Sequence, residues 1–372
     1  MDRLQSVFFY IIIFFISIYF MKKVENCYIK KEKIKNVTTK ILFFSIIAIG
    51  IPIIISAIRY QVGTDYNNYI DYYIFYSKLN FTEAIKDANE LLSILIVKFA
   101  YLFREPQIVF AIFAFLTVFV VYRAILTKKE KISITLIFAL YLFLYYMYSL
   151  NIMRQMLAVS IVLYAYKYVI KHDFKRFLLC IIIAMFFHTT ALLFLPFYFL
   201  CPKEGVESKK LVTIIRVIVI ILVLVMILNY DATIGLISSI SGFERFASYT
   251  NTTVQGENKQ IIINSFVLIV LLIFQRPLKK YSKENEMYLF LYFIGYILTL
   301  LGFISPYAKR MALYFNISEI YLLATLPQIT KNKEQKLVVT VLILIYAVLM
   351  FVISTYTLNI GEIIPYQTFF NK

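Results

Sequence analysis

Apolar blocks long enough to cross a bilayer recur along this whole chain, and short lysine-rich loops separate them. The blocks run about 5–21, 41–58, 107–126, 132–150, 152–170, 176–200, 211–229, 260–275, 286–304, 308–326 and 337–358. A hydrocarbon core of about 30 Å takes about 20 apolar helical residues, and a spanning helix satisfies its own backbone hydrogen bonds. The pattern predicts an all-α, polytopic integral membrane protein with about eleven to thirteen transmembrane or re-entrant helices. Hydrophobic residues make up 61% of the 372. No soluble domain of that size needs so many, so 1–372 reads as a single transmembrane domain. The block from Gln5 to Met21 is too long for a signal-peptide core and lacks a small-residue cleavage site, so it counts as the first span.

Charge then orients the spans. The net charge of +17 by itself resembles that of a nucleic-acid binder, but the lysines argue otherwise. Lys22, Lys23, Lys30, Lys31, Lys33, Lys35 and Lys40 fill one loop; Lys128, Lys129 and Lys131 another; Lys279, Lys280, Lys283 and Lys331, Lys333, Lys336 two more. This is the positive-inside pattern of cytoplasmic loops, and no nucleic-acid partner is expected. Arg59, Arg154, Arg245 and Arg310 sit at the opposite ends or in the opposite loops. Cys27, Cys180 and Cys201 make no metal spacing, and the two histidines, His172 and His188, exclude a multi-histidine centre.

With the lysines inside, residues 59–104 form an outer loop, rich in tyrosine, and 229–259 a second one carrying Glu244, Arg245 and Tyr249. The weakly apolar stretch 89–103 is about 22 Å long as a helix, too short to cross, and reads as interfacial or re-entrant. Glu83, Asp87 and Glu90 read as its wet face. The segment Phe177–Leu200 has basic loops on both sides and a midway His188-Thr189-Thr190, so a helix–break–helix is expected with His188 near the outer surface.

On one helical face of the stretch SLNIMRQMLAVS lie Asn151, Arg154, Gln155 and Ala158. An arginine near the bilayer centre costs about 2.5–3.5 kcal/mol, so it faces a polar cavity or an anionic partner. The amides beside it favour an anion-facing cavity over simple snorkelling. In Arg59-Tyr60-Gln61-Val62-Gly63-Thr64-Asp65-Tyr66 the glycine permits a tight turn. Asp65 there is either a helix cap or a carboxylate able to take a proton or hold an arginine. His188 is either a packing residue or a base. Arg245 and Tyr249 are i,i+4 neighbours, and Arg310, with Tyr314 four residues on, opens a helix against the positive-inside rule.

These residues carry a resemblance. GTDYNNY soon after the second span, NIMRQMLA opening a helix, KHDFKRFLL leading into AMFFHTTAL, and a late KRMALYF resemble the EpsG-like family of bacterial polysaccharide polymerases, related to the Wzy O-antigen polymerases. The likeness runs from about Arg59 to Tyr314. It implies a membrane-embedded glycosyltransferase in the bacterial cytoplasmic membrane, with its site on the outer side. The implied donor is an oligosaccharide repeat unit on undecaprenyl diphosphate, and the acceptor is a hydroxyl of a second lipid-linked unit. The product would be O-antigen, capsule or exopolysaccharide, and a chain-length regulator is a possible protein partner.

That chemistry asks for guanidiniums aimed at a leaving diphosphate and a base for the acceptor hydroxyl. Asp65, Arg154 and His188 are the catalytic candidates. Arg59, Asn151, Gln155, Arg245, Tyr249, Arg310 and Tyr314 are the candidates for holding diphosphate or sugar. With no Walker loop, no GxGxxG and no metal-ligand cluster in the sequence, no cofactor or metal is expected. A flippase would need two similar halves and cations deep in several spans; neither is visible. An O-acyltransferase would use His188 with a cytoplasmic acyl donor. A ligase shares the donor chemistry and differs in its acceptor.

Overall fold

The computed structural model describes residues 1–30, 36–86, 90–200, 209–229, 232, 235–236, 238–239, 258–303 and 306–371. The described elements are helical, and the one β-type feature among them is an isolated bridge between Arg59 and Thr368. In order, the helices are α1 (Arg3–Ile29), α2 (Val37–Ala57), α3 (Tyr66–Lys78), α4 (Phe81–Lys86), α5 (Leu91–Tyr101), α6 (Gln107–Leu126), α7 (Ile134–Leu144), α8 (Tyr146–Asn151), α9 (Met153–Ile170) and α10 (Phe174–Phe187). A 3-10 helix, Thr189–Leu200, follows α10. Then come α11 (Lys209–Leu228), α12 (Asn258–Ile273), α13 (Gln275–Tyr281), α14 (Glu284–Leu300), α15 (Pro306–Asn316), α16 (Glu319–Thr325) and α17 (Lys333–Val352). The chain is an all-α polytopic membrane protein.

Two compact units are formed. The first comprises Met1–Ala165, Cys180–Ala191 and Leu323–Lys372, and the second Tyr166–Leu179 with Leu192–Leu322. Among the described residues, the spans long and apolar enough to cross a bilayer, Arg3–Ile29, Val37–Ala57, Gln107–Leu126 and Lys333–Thr357, fall in the first unit. Three of them, the first two and the last, bury only 33%, 28% and 17% of their apolar windows in protein, which leaves faces such as Phe8, Ile12, Leu42 and Leu342 exposed to suit lipid. By contrast α7 is buried all round, as a helix without a polar face should be. Several expected blocks are broken: 132–150 at Tyr145, 308–326 between α15 and α16, and 176–200 at His188. The last break is the expected one.

Local chemistry explains how the first unit holds together. Pro52 lacks an N–H, so the Ala48 carbonyl one turn back loses its helical partner. The buried Ser17 hydroxyl of α1 donates to that carbonyl and ties α1 to α2. Glu25, near the end of α1, accepts from the Thr135 N–H at 2.8 Å and the Ser133 hydroxyl at 2.8 Å. It thus satisfies donors that the start of α7 leaves open. In the second unit α14 packs on α15 and α12, and Tyr166 donates to the Tyr314 carbonyl at 2.9 Å.

Within the first unit the charges separate as the loops predict. One end carries Lys22, paired to Glu25 at 2.9 Å, and Lys129, whose ammonium lies 4.4 Å from the Tyr28 ring centre. The other end gathers the start of α1, the close of α2, the start of α6 and the α8–α9 break. There Arg3 donates to the Tyr356 carbonyl at 2.9 Å and Gln107 to the Arg59 carbonyl at 2.9 Å. The 20 residues of α6 separate the two ends by about 30 Å, the depth of a hydrocarbon core.

Candidate functional site

The turn between α2 and α3 is built against the C-terminal segment. Tyr60 N–H donates to the Gln367 carbonyl at 3.0 Å, Gly63 N–H to Glu362 at 3.1 Å, and Thr64 N–H to Gly361 at 2.9 Å. Gly63 has φ +99°, and a Cβ there would lie 2.7 Å from the Leu150 carbonyl oxygen, so a side chain has no room. Asn151 closes the turn: its Oδ1 accepts from the Thr64 hydroxyl at 2.9 Å and from the Asp65 N–H at 2.8 Å.

This changes the expected polar line. Asn151 ends α8 and Arg154 belongs to α9, with Ile152 between them at φ −93°, ψ 60°. The four residues do not share one continuous helical face. At the break the Asn151 carboxamide accepts from the Thr64 hydroxyl and the Asp65 N–H, whereas Arg154 turns to Glu90. Asp65 stands at the start of α3 without a capping bond, its carboxylate accepting from Asn68 at 3.3 Å. Gln155 and Ala158 are buried on α9.

Arg59 is wholly buried. Its Nη1 donates to the Ser56 carbonyl at 2.6 Å and hydroxyl at 3.0 Å, its Nη2 points to Met153 Sδ at 2.8 Å, and its plane lies 4.7 Å from the Phe110 ring centre. The cation thus closes the C-terminal end of α2, where the helix dipole favours it. As placed, it touches no surface a ligand could reach.

Arg154 is placed differently. Its Nη1 donates to Glu90 Oε2 at 2.5 Å, and His188 Nδ1 lies 2.9 Å from the other oxygen, Oε1. The Glu90 side chain is 2% exposed, against 28% for Arg154 and 24% for His188. Tyr72 and Tyr69 of α3 cover the guanidinium, with ring centres 4.8 and 5.8 Å away. Burial pushes the Tyr72 hydroxyl up to about 12, with Arg154 pulling the other way, so it remains a neutral donor. Arg154 Nε is buried and has no hydrogen-bond partner among the described residues.

Glu90 was expected on a wet face and is instead the buried centre of this cluster. It sits at the N-cap of α5, yet makes no capping bond, because its carboxylate turns to Arg154 and His188. Those partners lie 64 and 98 residues away along the chain, a distance no periodicity reports. Its one local signal is a carboxylate directly before the apolar run LLSILIV. Of the other expected residues, Glu83 is exposed and exchanges capping bonds with Asn80 at 2.8 and 3.0 Å. Arg310 is exposed on α15 and Tyr314 buried on the same helix, both in the second unit. Asp87, Glu244, Arg245 and Tyr249 lie outside the described residues.

A model of the EpsG family matches residues 42–368, nearly the whole chain. The protein belongs to the EpsG family. This is a Wzy-like family of polysaccharide polymerases, so the chain is a membrane protein with a polysaccharide-polymerase role. No curated protein and no solved structure matches it. The matched stretch contains the turn at 59–65, the Glu90–Arg154–His188 cluster and the C-terminal segment that pairs with the turn.

Proposed function

We propose that this EpsG-family chain transfers oligosaccharide repeat units from undecaprenyl diphosphate to a hydroxyl of a second lipid-linked unit, at the outer face of the cytoplasmic membrane. The observation that carries the reading is the Glu90–Arg154–His188 cluster, which lies at the end of the first unit opposite Lys22 and Lys129. The rule that lysine-rich loops stay cytoplasmic supports reading that end as the outer one.

As the bond from C1 of the donor sugar to the phosphate breaks, charge grows on the leaving diphosphate. A guanidinium held by Glu90 with 28% of its side chain exposed would stabilise that charge more in the transition state than in the ground state. Tyr69 and Tyr72 keep it in place and dry. Arg310 and Tyr314, in the second unit, and Arg245 and Tyr249, outside the described residues, are carried by their sequence pattern alone as candidates for holding diphosphate or sugar. Asn151 and Arg59 serve the site by shaping the turn, while Asp65 and His188 are the groups able to take the acceptor proton. Gln155 lies one residue beyond Arg154, and the lipid tail would run along the apolar surface of the spans.

The test is a gel of surface polysaccharide from cells lacking the gene, with lipid-linked intermediates extracted in parallel. Loss of the ladder with single repeat units on the lipid carrier supports polymerisation. Long polymer that stays on the carrier without reaching its final acceptor would make the chain a ligase. Repeat units trapped on the cytoplasmic face would make it a flippase.

A further inference from the structure

We infer that His188 is the base of the transfer and that Glu90 is the positioning residue that sets its tautomer, an assignment that rests on the transfer reading above. An ionised carboxylate only accepts hydrogen bonds. With Glu90 Oε1 2.9 Å from His188 Nδ1, the ring carries its proton on Nδ1, and Nε2 on the far edge keeps its lone pair. Glu90 is closed off while a quarter of the His188 side chain is open, so the free nitrogen belongs to the accessible part of the pair. The backbone fixes the ring as well. His188 N–H donates to the Ala184 carbonyl at 2.8 Å, its own carbonyl accepts from Ala191 at 3.0 Å, and the residue sits where α10 ends. Asp65 lacks such support: among the described residues its carboxylate accepts from Asn68 at 3.3 Å, on its own helix start.

One carboxylate thus serves two groups. Before reaction Glu90 balances Arg154, and the neutral imidazole leaves the cluster with no net charge. The acceptor O–H proton moves to His188 Nε2 while its oxygen bonds to C1 of the donor sugar. The C1–O bond to phosphate breaks, and the diphosphate leaves with the electron pair. The cluster becomes +1 as the leaving group gains its negative charge, so the proton transfer strengthens the attraction at the moment it is needed.

Glu90→Gln tests this with little change of shape. A carboxamide oxygen can still accept from Arg154, but its NH2 then faces His188 Nδ1 and forces the proton onto Nε2. The chain has two histidines, His172 and His188, so nitrogen-15 histidine NMR on the full protein in bilayers resolves both, with His172→Gln assigning the signals. The expected wild-type result is a protonated Nδ1 and a bare Nε2 at His188, and Glu90→Gln reverses them.

With lipid-linked repeat units extracted from deletion cells as substrate, Glu90→Gln should lower kcat by about 10²- to 10⁴-fold with KM little changed. In a His188→Ala background the same change should add a much smaller loss, the part that acts through Arg154, whereas a Glu90 that does not act through His188 would add its full loss. A wild-type His188 protonated on Nε2 overturns the pair even if the variant fails to fold. A reversed tautomer with undiminished kcat overturns the base assignment. A wild-type protein that extends no lipid-linked unit speaks against the transfer reading, while the NMR still decides the pair.

Discussion

Arg59 and Arg154 lie on either side of Met153, one fully buried and one with 28% of its side chain exposed. Neutral acceptors and an aromatic face hold Arg59. Arg154 has Glu90 at 2.5 Å and two tyrosine rings over it, while the Nε of each arginine is buried without a partner among the described residues. The first arginine completes a helix end and a turn. The second is held by a carboxylate and keeps part of its side chain exposed, which is what a group that must meet an anion requires. Exposure and the kind of partner, not residue type, separate support from chemistry here.

The largest effect should come from the exposed member of the pair. Arg154→Met should lower polymer synthesis by about 10²- to 10³-fold, as for loss of one preorganised donor set, measured as ladder length with the protein still inserted. Arg154→Lys should be nearly as damaging, since an ammonium cannot supply the planar fork; a mild Lys variant would mean that charge alone suffices. Next comes the amide at the break. Asn151→Ala leaves the Asp65 N–H without its 2.8 Å acceptor and should lower stability by about 1–3 kcal/mol, read as a fall in Tm in detergent. Tyr72→Leu removes one aromatic face from Arg154 and should cost about 0.5–1 kcal/mol of positioning, seen as a drop in rate of a few fold. Smallest is Arg59→Met: replacing a buried cation by an apolar chain of similar volume should stay within about 1 kcal/mol of the parent and keep the ladder.

Parts of this arrangement are legible in the sequence. The block 107–126 coincides with α6 because nothing in it breaks the apolar run. The His188 break follows from basic loops on both sides of the stretch, which ask for two passes, and from the midway His188-Thr189-Thr190. The split at Ile152 is not legible, because it goes with Asn151 reaching a turn 86 residues back. Nor is the pairing of residues 58–64 with 361–369, which joins a loop to a tail 300 or so residues on through backbone groups that every sequence shares. Glu90 was hidden for a related reason. It stands directly before an apolar helix, and hydrophobic periodicity describes one helix at a time, not which carboxylate a distant arginine will find.

The most direct test of the account is complementation of the deletion strain with Arg154→Met and Arg59→Met side by side, scored by surface-polysaccharide ladder and lipid-linked intermediates at matched protein level. The account predicts single repeat units on the carrier for Arg154→Met and a full ladder for Arg59→Met. A full ladder from Arg154→Met would contradict it.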